Sequence, residues 1–136
     1  MSESEAPTQS LLAGMSVKRA VLLLLAVQLG GWLVFDGMRA LIVGDYVTPD
    51  AGPHAGQLGP WKLAFEAVGL DARGAFARSL HVVSGLVWLG AVILELLGRD
   101  RRKLFLITLP FGLWYLPFGT GIAIACAIMA GTDRRT

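Results

Sequence analysis

Residues 104–130 read LFLITLPFGLWYLPFGTGIAIACAIMA, the longest stretch of the chain without a charge. How this run folds decides the architecture. As one helix it would reach about 40 Å, more than a hydrocarbon core of about 30 Å needs, and tilt could absorb the excess. Its middle argues otherwise. Pro117, Gly119 and Gly121 are turn signals, and the adjacent Trp114 and Tyr115 favour a membrane–water interface. The competing reading is two short helices joined by a hairpin around Pro117–Gly121, each arm only about 24 Å long with its charged ends.

Charge favours the hairpin. Basic residues prefer the cytoplasmic side of a membrane. Lys18/Arg19, the cluster Arg99 to Lys103, and Arg134/Arg135 are the three basic groups beside the apolar runs. Three spans put the last group outside; four helices put all three inside. The expected fold is therefore an all-α integral membrane protein. It is a small bundle of four helices at about 18–43, 77–97, 101–116 and 118–132, with three spans as the alternative. The N-terminus is expected in the cytoplasm.

The composition of the 136 residues agrees with lipid as solvent. Apolar residues make up 54% and charged residues 16%, with a mean hydropathy of +0.61. Soluble domains carry about a quarter charged residues. That disfavours a soluble enzyme and excludes a disordered chain. The formal charge of +2 does not indicate nucleic acid, because the basic residues flank apolar runs instead of sharing one polar face. The single cysteine, Cys126, excludes an intrachain disulfide and a CxxC site. Two histidines, His54 and His81, are too few for an all-histidine zinc site.

Residues 1–16 read as a polar tail, and Met15 is an alternative start. The first run begins at Ala20 behind Lys18 and Arg19. It is too long for a signal peptide and lacks an A-x-A-like site, so it reads as a retained helix. Asp36 and Arg39 belong near one of its ends. Residues 44–76 form the outer loop, rich in Pro and Gly. Within it Trp61, Ala64, Phe65 and Val68 fall at helical spacing, which predicts a short helix lying in the headgroup region with Trp61 and Phe65 toward lipid.

Two stretches carry a resemblance. Phe35-Asp36-Gly37 through Ile42 to Tyr46, followed by Gly56 to Trp61, resembles a group of small uncharacterised bacterial inner-membrane proteins. Leu113 to Thr120 looks like the Pro-x-Gly-Thr turn before the last helix in such proteins. The resemblance covers less than a third of the chain. It implies a bacterial inner-membrane setting and a multi-helix topology, and it carries no activity or catalytic residue.

Candidate chemistry is sparse. Asp36 and Arg39 share one helix face, as a salt bridge fixing helix depth or as part of a proton relay with Gln28. His81 could ligate a haem or metal, with His54 as a partner, or be an interfacial histidine bonded to a neighbouring helix. Glu95 is four residues before Arg99, the favourable order for a helix-end ion pair. Gly121, Ala123, Ala125, Cys126, Ala127 and Ala130 give small-xxx-small spacings that suit close helix packing, within the chain or against a partner. Asp45, Tyr46, Asp50 and His54 lie in the loop, as a cation site or simply solvated.

No cofactor is expected. The expected function is a non-catalytic structural or accessory membrane component, whose partners are the bilayer and another membrane subunit or a second copy. Ion, proton or small-solute transport is the alternative, and a haem- or quinone-binding redox subunit comes third.

Overall fold

The computed structural model describes residues 14–115 and 117–132. Residues 1–13 of the expected tail, Leu116, and Arg134 and Arg135 lie outside them. Among the described residues there are six helices and no strand.

Helix α1 runs Val17–Val43. The Ser16 hydroxyl accepts the Arg19 amide at 3.2 Å and caps its start. It ends at Gly44, whose amide returns to the Ala40 carbonyl. Its inward stripe is Leu22, Ala26, Leu29, Leu33, Asp36 and Ala40. Helix α2, Lys62–Ala67, sits in the long loop that follows. Helix α3 spans Ala75–Leu96 and turns Ala77, His81, Ser84, Trp88, Val92 and Glu95 inward. Both stripes repeat at three and four residues, so α1 and α3 lie against each other along most of their lengths.

That contact is unusually close at mid-length. A Cβ on Gly85 would stand 2.6 Å from the Gly30 carbonyl oxygen, and one on Gly30 would stand 3.0 Å from the Gly85 carbonyl. At Gly85 glycine is required for the two backbones to meet, and at Gly30 a side chain would make the Gly85 carbonyl and Leu89 give way.

The charge-free run is not one helix. Helix α4, Arg101–Thr108, is capped by the Asp100 side chain, which accepts the Arg102 amide. Pro110 then opens a separate short helix, α5, Pro110–Leu113. A proline cannot donate back along a helix, so a break there is expected. The chain turns and restarts as α6, Phe118–Gly131. The Thr120 hydroxyl donates to the Leu113 carbonyl at 2.6 Å, and the Thr120 and Gly121 amides bond Tyr115 and Pro117 carbonyls. Those bonds consume backbone groups that the turn would leave open. A Cβ on Gly119 would lie 2.6 Å from the Gly112 carbonyl oxygen, so α6 starts pressed against α5. Relative to the expected helix over 101–116, the difference is the break at Leu109–Pro110.

Helix α6 packs on α1, α4 and α5. Its inward residues are Gly119, Ala123, Cys126 and Ala130. Ala123 and Ala130 of the expected small-residue face are therefore buried, whereas Gly121 is exposed and Ala125 and Ala127 are half-buried on its flanks. Cys126 is a packing residue, with its thiol 3.8 Å from the Leu22 carbonyl.

The outward faces are apolar. Leu24, Phe35, Ile42, Leu86, Ile93, Ile107 and Ile128 are all exposed. Two helices, Val17–Val43 and Ala75–Leu96, are long and apolar enough to cross a membrane.

Candidate functional site

Polar side chains gather at the two ends of the bundle. At the first end stands Glu95, 3% exposed near the end of α3. Its expected partner was Arg99, one turn ahead. The pairing is different: Arg19 of α1 grips both carboxylate oxygens, Nε to Oε1 at 2.9 Å and Nη2 to Oε2 at 3.1 Å. Arg101 of α4 adds Nε to Oε1 at 2.8 Å. Arg99 is exposed. One carboxylate thus joins three helices through charge-assisted bonds. Lys18 also donates to the Thr132 hydroxyl, so the start of α1 and the end of α6 lie together.

The other end is built from rings and loop backbone. His81 is fully buried. Its Nδ1 pairs with the Ala77 carbonyl at 2.9 Å, and Nε2 has no partner among the described residues. Around it stand Tyr46, Trp61 and Trp114, with ring centroids at 4.7, 4.6 and 4.8 Å. His54 is not brought near it; that residue is exposed and pairs with Gln57. Trp61 and Phe65, expected to face lipid, are both 4% exposed and turned into the protein. Their apolar face has the periodicity of a membrane-surface helix, but Tyr46, Trp114 and Tyr115 cover it. The Trp114 indole also donates to the Ser84 hydroxyl, and the Trp32 indole donates to the Tyr115 hydroxyl.

Asp36 and Arg39 do not form an ion pair with each other. Asp36 Oδ1 accepts the Val47 amide at 2.7 Å. Arg39 Nη1 donates to the carbonyls of Asp45 and Tyr46 at 2.8 and 2.7 Å. Both hold the loop that leaves α1. Two arginines that sequence reasoning passed over complete this arrangement. Arg78 of α3 donates to the Ala40 and Gly44 carbonyls, where the α1 dipole is negative. Arg73 donates to Asp45 Oδ1 at 3.1 Å and to the Gly56 carbonyl at 2.8 Å. No local spacing rule links these arginines to α1, because the contacts cross long sequence separations.

In the loop, burial works to raise the Asp45 carboxyl, but the Arg73 hydrogen bond, the Tyr46 amide and the charges of Arg73 and Arg78 outweigh it and hold it below its ordinary value. Burial pushes the Tyr46 phenol up, so it stays protonated and donates to the Ala72 carbonyl at 3.0 Å. Asp45, Tyr46, Asp50 and His54 do not converge as a cation site: among the described residues no group of three acidic, histidine or cysteine side chains could hold a metal.

Beside this end lies a cavity of about 580 Å³. Asp36, Trp61 and Tyr115 form its buried part, and His54, Lys62 and Phe118 stand nearer solvent. Asp36 is 2% exposed. Among the described residues its second oxygen, Oδ2, accepts no hydrogen bond. No family model matches the chain, and neither the curated proteins nor the solved structures contain a match to it.

Proposed function

We propose that the chain is a small multi-pass protein of the bacterial inner membrane, crossing four times with both ends cytoplasmic, and that it serves as a non-catalytic structural or accessory component. One observation carries this reading: Glu95 and four arginines at the two ends of the apolar bundle are engaged in holding helices and loop together. Glu95 ties Arg19 and Arg101, while Arg39 and Arg78 close backbone carbonyls. Ionisable groups inside a membrane are by default functional candidates, and here their function is architectural. The bond from Lys18 to Thr132 supports an even number of crossings. The outward apolar faces and the resemblance noted above fit the setting.

The test is topological. A reporter fused after Thr136 should fluoresce as green fluorescent protein and show no alkaline phosphatase activity. Strong phosphatase activity would overturn the four-crossing topology.

Transport is the second reading, and Asp36 favours it, since this buried carboxyl belongs to the lining of a cavity. In that case proton flux in liposomes would vanish in Asp36→Asn.

A further inference from the structure

We propose that the cavity beside Asp36 binds an organic ammonium group, with Asp36 as its counter-ion. The inference goes beyond the architectural reading and does not depend on the number of membrane crossings. It begins with an imbalance. A buried carboxylate is costly unless its charge is met. Only one Asp36 oxygen is bonded, and its donor is the neutral Val47 amide. Among the described residues no guanidinium bonds this carboxylate: Arg39, whose charge does act on Asp36, donates to the Asp45 and Tyr46 carbonyls, and Arg78 to those of Ala40 and Gly44. The free oxygen belongs to a residue lining a cavity of about 580 Å³, within the range of small-ligand sites.

The walls select the kind of cation. Trp61 and Tyr115 are both buried, with centroids 5.9 Å apart and planes inclined by 22°, and Phe118 lines the outer part. Aromatic surfaces attract ammonium groups that keep little water. A divalent ion is favoured by several anionic ligands, and among the described residues no group of three acidic, histidine or cysteine side chains could hold one. Toward solvent, Lys62 and His54 stand where an ammonium inside would place an attached anionic group. A zwitterion with its ammonium innermost therefore suits the site better than a simple amine. That chemistry occurs both in free choline or ethanolamine derivatives and at phospholipid head groups.

The experiment uses the full chain in nanodiscs of phosphatidylglycerol alone, titrated with phosphocholine and phosphoethanolamine and followed by calorimetry and tryptophan fluorescence. A second arm replaces part of the lipid with phosphatidylethanolamine. Saturable binding of a free zwitterion supports the proposal with a soluble source. A fluorescence change only with phosphatidylethanolamine, lost in Asp36→Asn, supports it with lipid as the source. Asp36→Asn keeps the acceptor for Val47 and should weaken binding at least tenfold. Phe118→Ala, at a side chain 74% exposed, should fold normally and weaken binding several-fold. The neutral isostere 3,3-dimethylbutan-1-ol should not compete. Absence of binding in both arms, equal binding by Asp36→Asn, or equal binding of the isostere overturns the proposal. Failure here leaves the reporter result untouched, so the two readings fail separately.

Discussion

The two ends of the bundle solve the same problem differently. Each must accommodate charge beside apolar helices. At the basic end, Glu95 takes Arg19 and Arg101, so side chain meets side chain and three helices share one anchor. At the aromatic end, Arg39 and Arg78 bond to carbonyls, and Trp61, His81, Trp114 and Tyr115 fill the space between. The first arrangement is reciprocal: each charge needs the others. The second is one-sided, because a carbonyl that loses its arginine can turn to water. Loss of one group should therefore spread across helices at one end and stay in the loop at the other.

The largest expected effect is at Glu95. Glu95→Ala removes the buried carboxylate that Arg19 and Arg101 share and should cost about 4 kcal/mol in unfolding by denaturant in mild detergent. Adding Arg19→Ala to that background should cost little more. Additive losses would break the claim of reciprocity.

A smaller effect is expected from Arg39→Ala, about 2 kcal/mol, from two lost charge-assisted bonds. Hydrogen exchange should rise in residues 45–57 and not in α4 or α6. Exchange that rises along the whole bundle would erase the distinction between the ends.

The smallest effect is a response to acid. Asp45 is held below its ordinary 3.8, so its contribution is fully present above that value and is lost as pH falls through the lower folded value. Both Asp45 and Arg73 are well exposed, which limits the gain. Loop protection, measured as exchange relative to the intrinsic rate at each pH, should therefore fall modestly between about pH 5 and pH 3, and Asp45→Asn should lower it at pH 5 and flatten the response. An unchanged wild-type profile would remove Asp45 from the account of the loop.

These differences also explain what could be read from the residues alone. Helices α1 and α3 were legible because long apolar runs between charges admit few alternatives. The turn before Phe118 was legible from Pro117, whereas Gly119 and Gly121, read as turn signals, fall inside α6. Partners were not. A spacing rule assigns Glu95 to Arg99 and Asp36 to Arg39, the nearest opposite charges in the sequence, whereas the fold brings Arg19 from far away and gives Arg39 two carbonyls. The inward turn of Trp61 and Phe65 was hidden for another reason. An apolar stripe has the same pattern whether lipid or protein covers it, and the covering rings come from 46, 114 and 115. The small-residue argument found Ala123 and Ala130 in α6 but passed over Gly30 and Gly85, where the closest approach lies.

That approach has a thermodynamic consequence. Contacts between ordinary side chains are made by groups that must give up rotamers, a loss that opposes packing. Gly30 and Gly85 meet through backbone atoms already fixed by their helices. The backbone part of the crossing freezes no rotor, although the Leu89 and Val34 side chains pack beside it. Enlarging either glycine would raise the hydrophobicity of its helix and still push the pair apart, so at this crossing a more apolar chain is a less stable one.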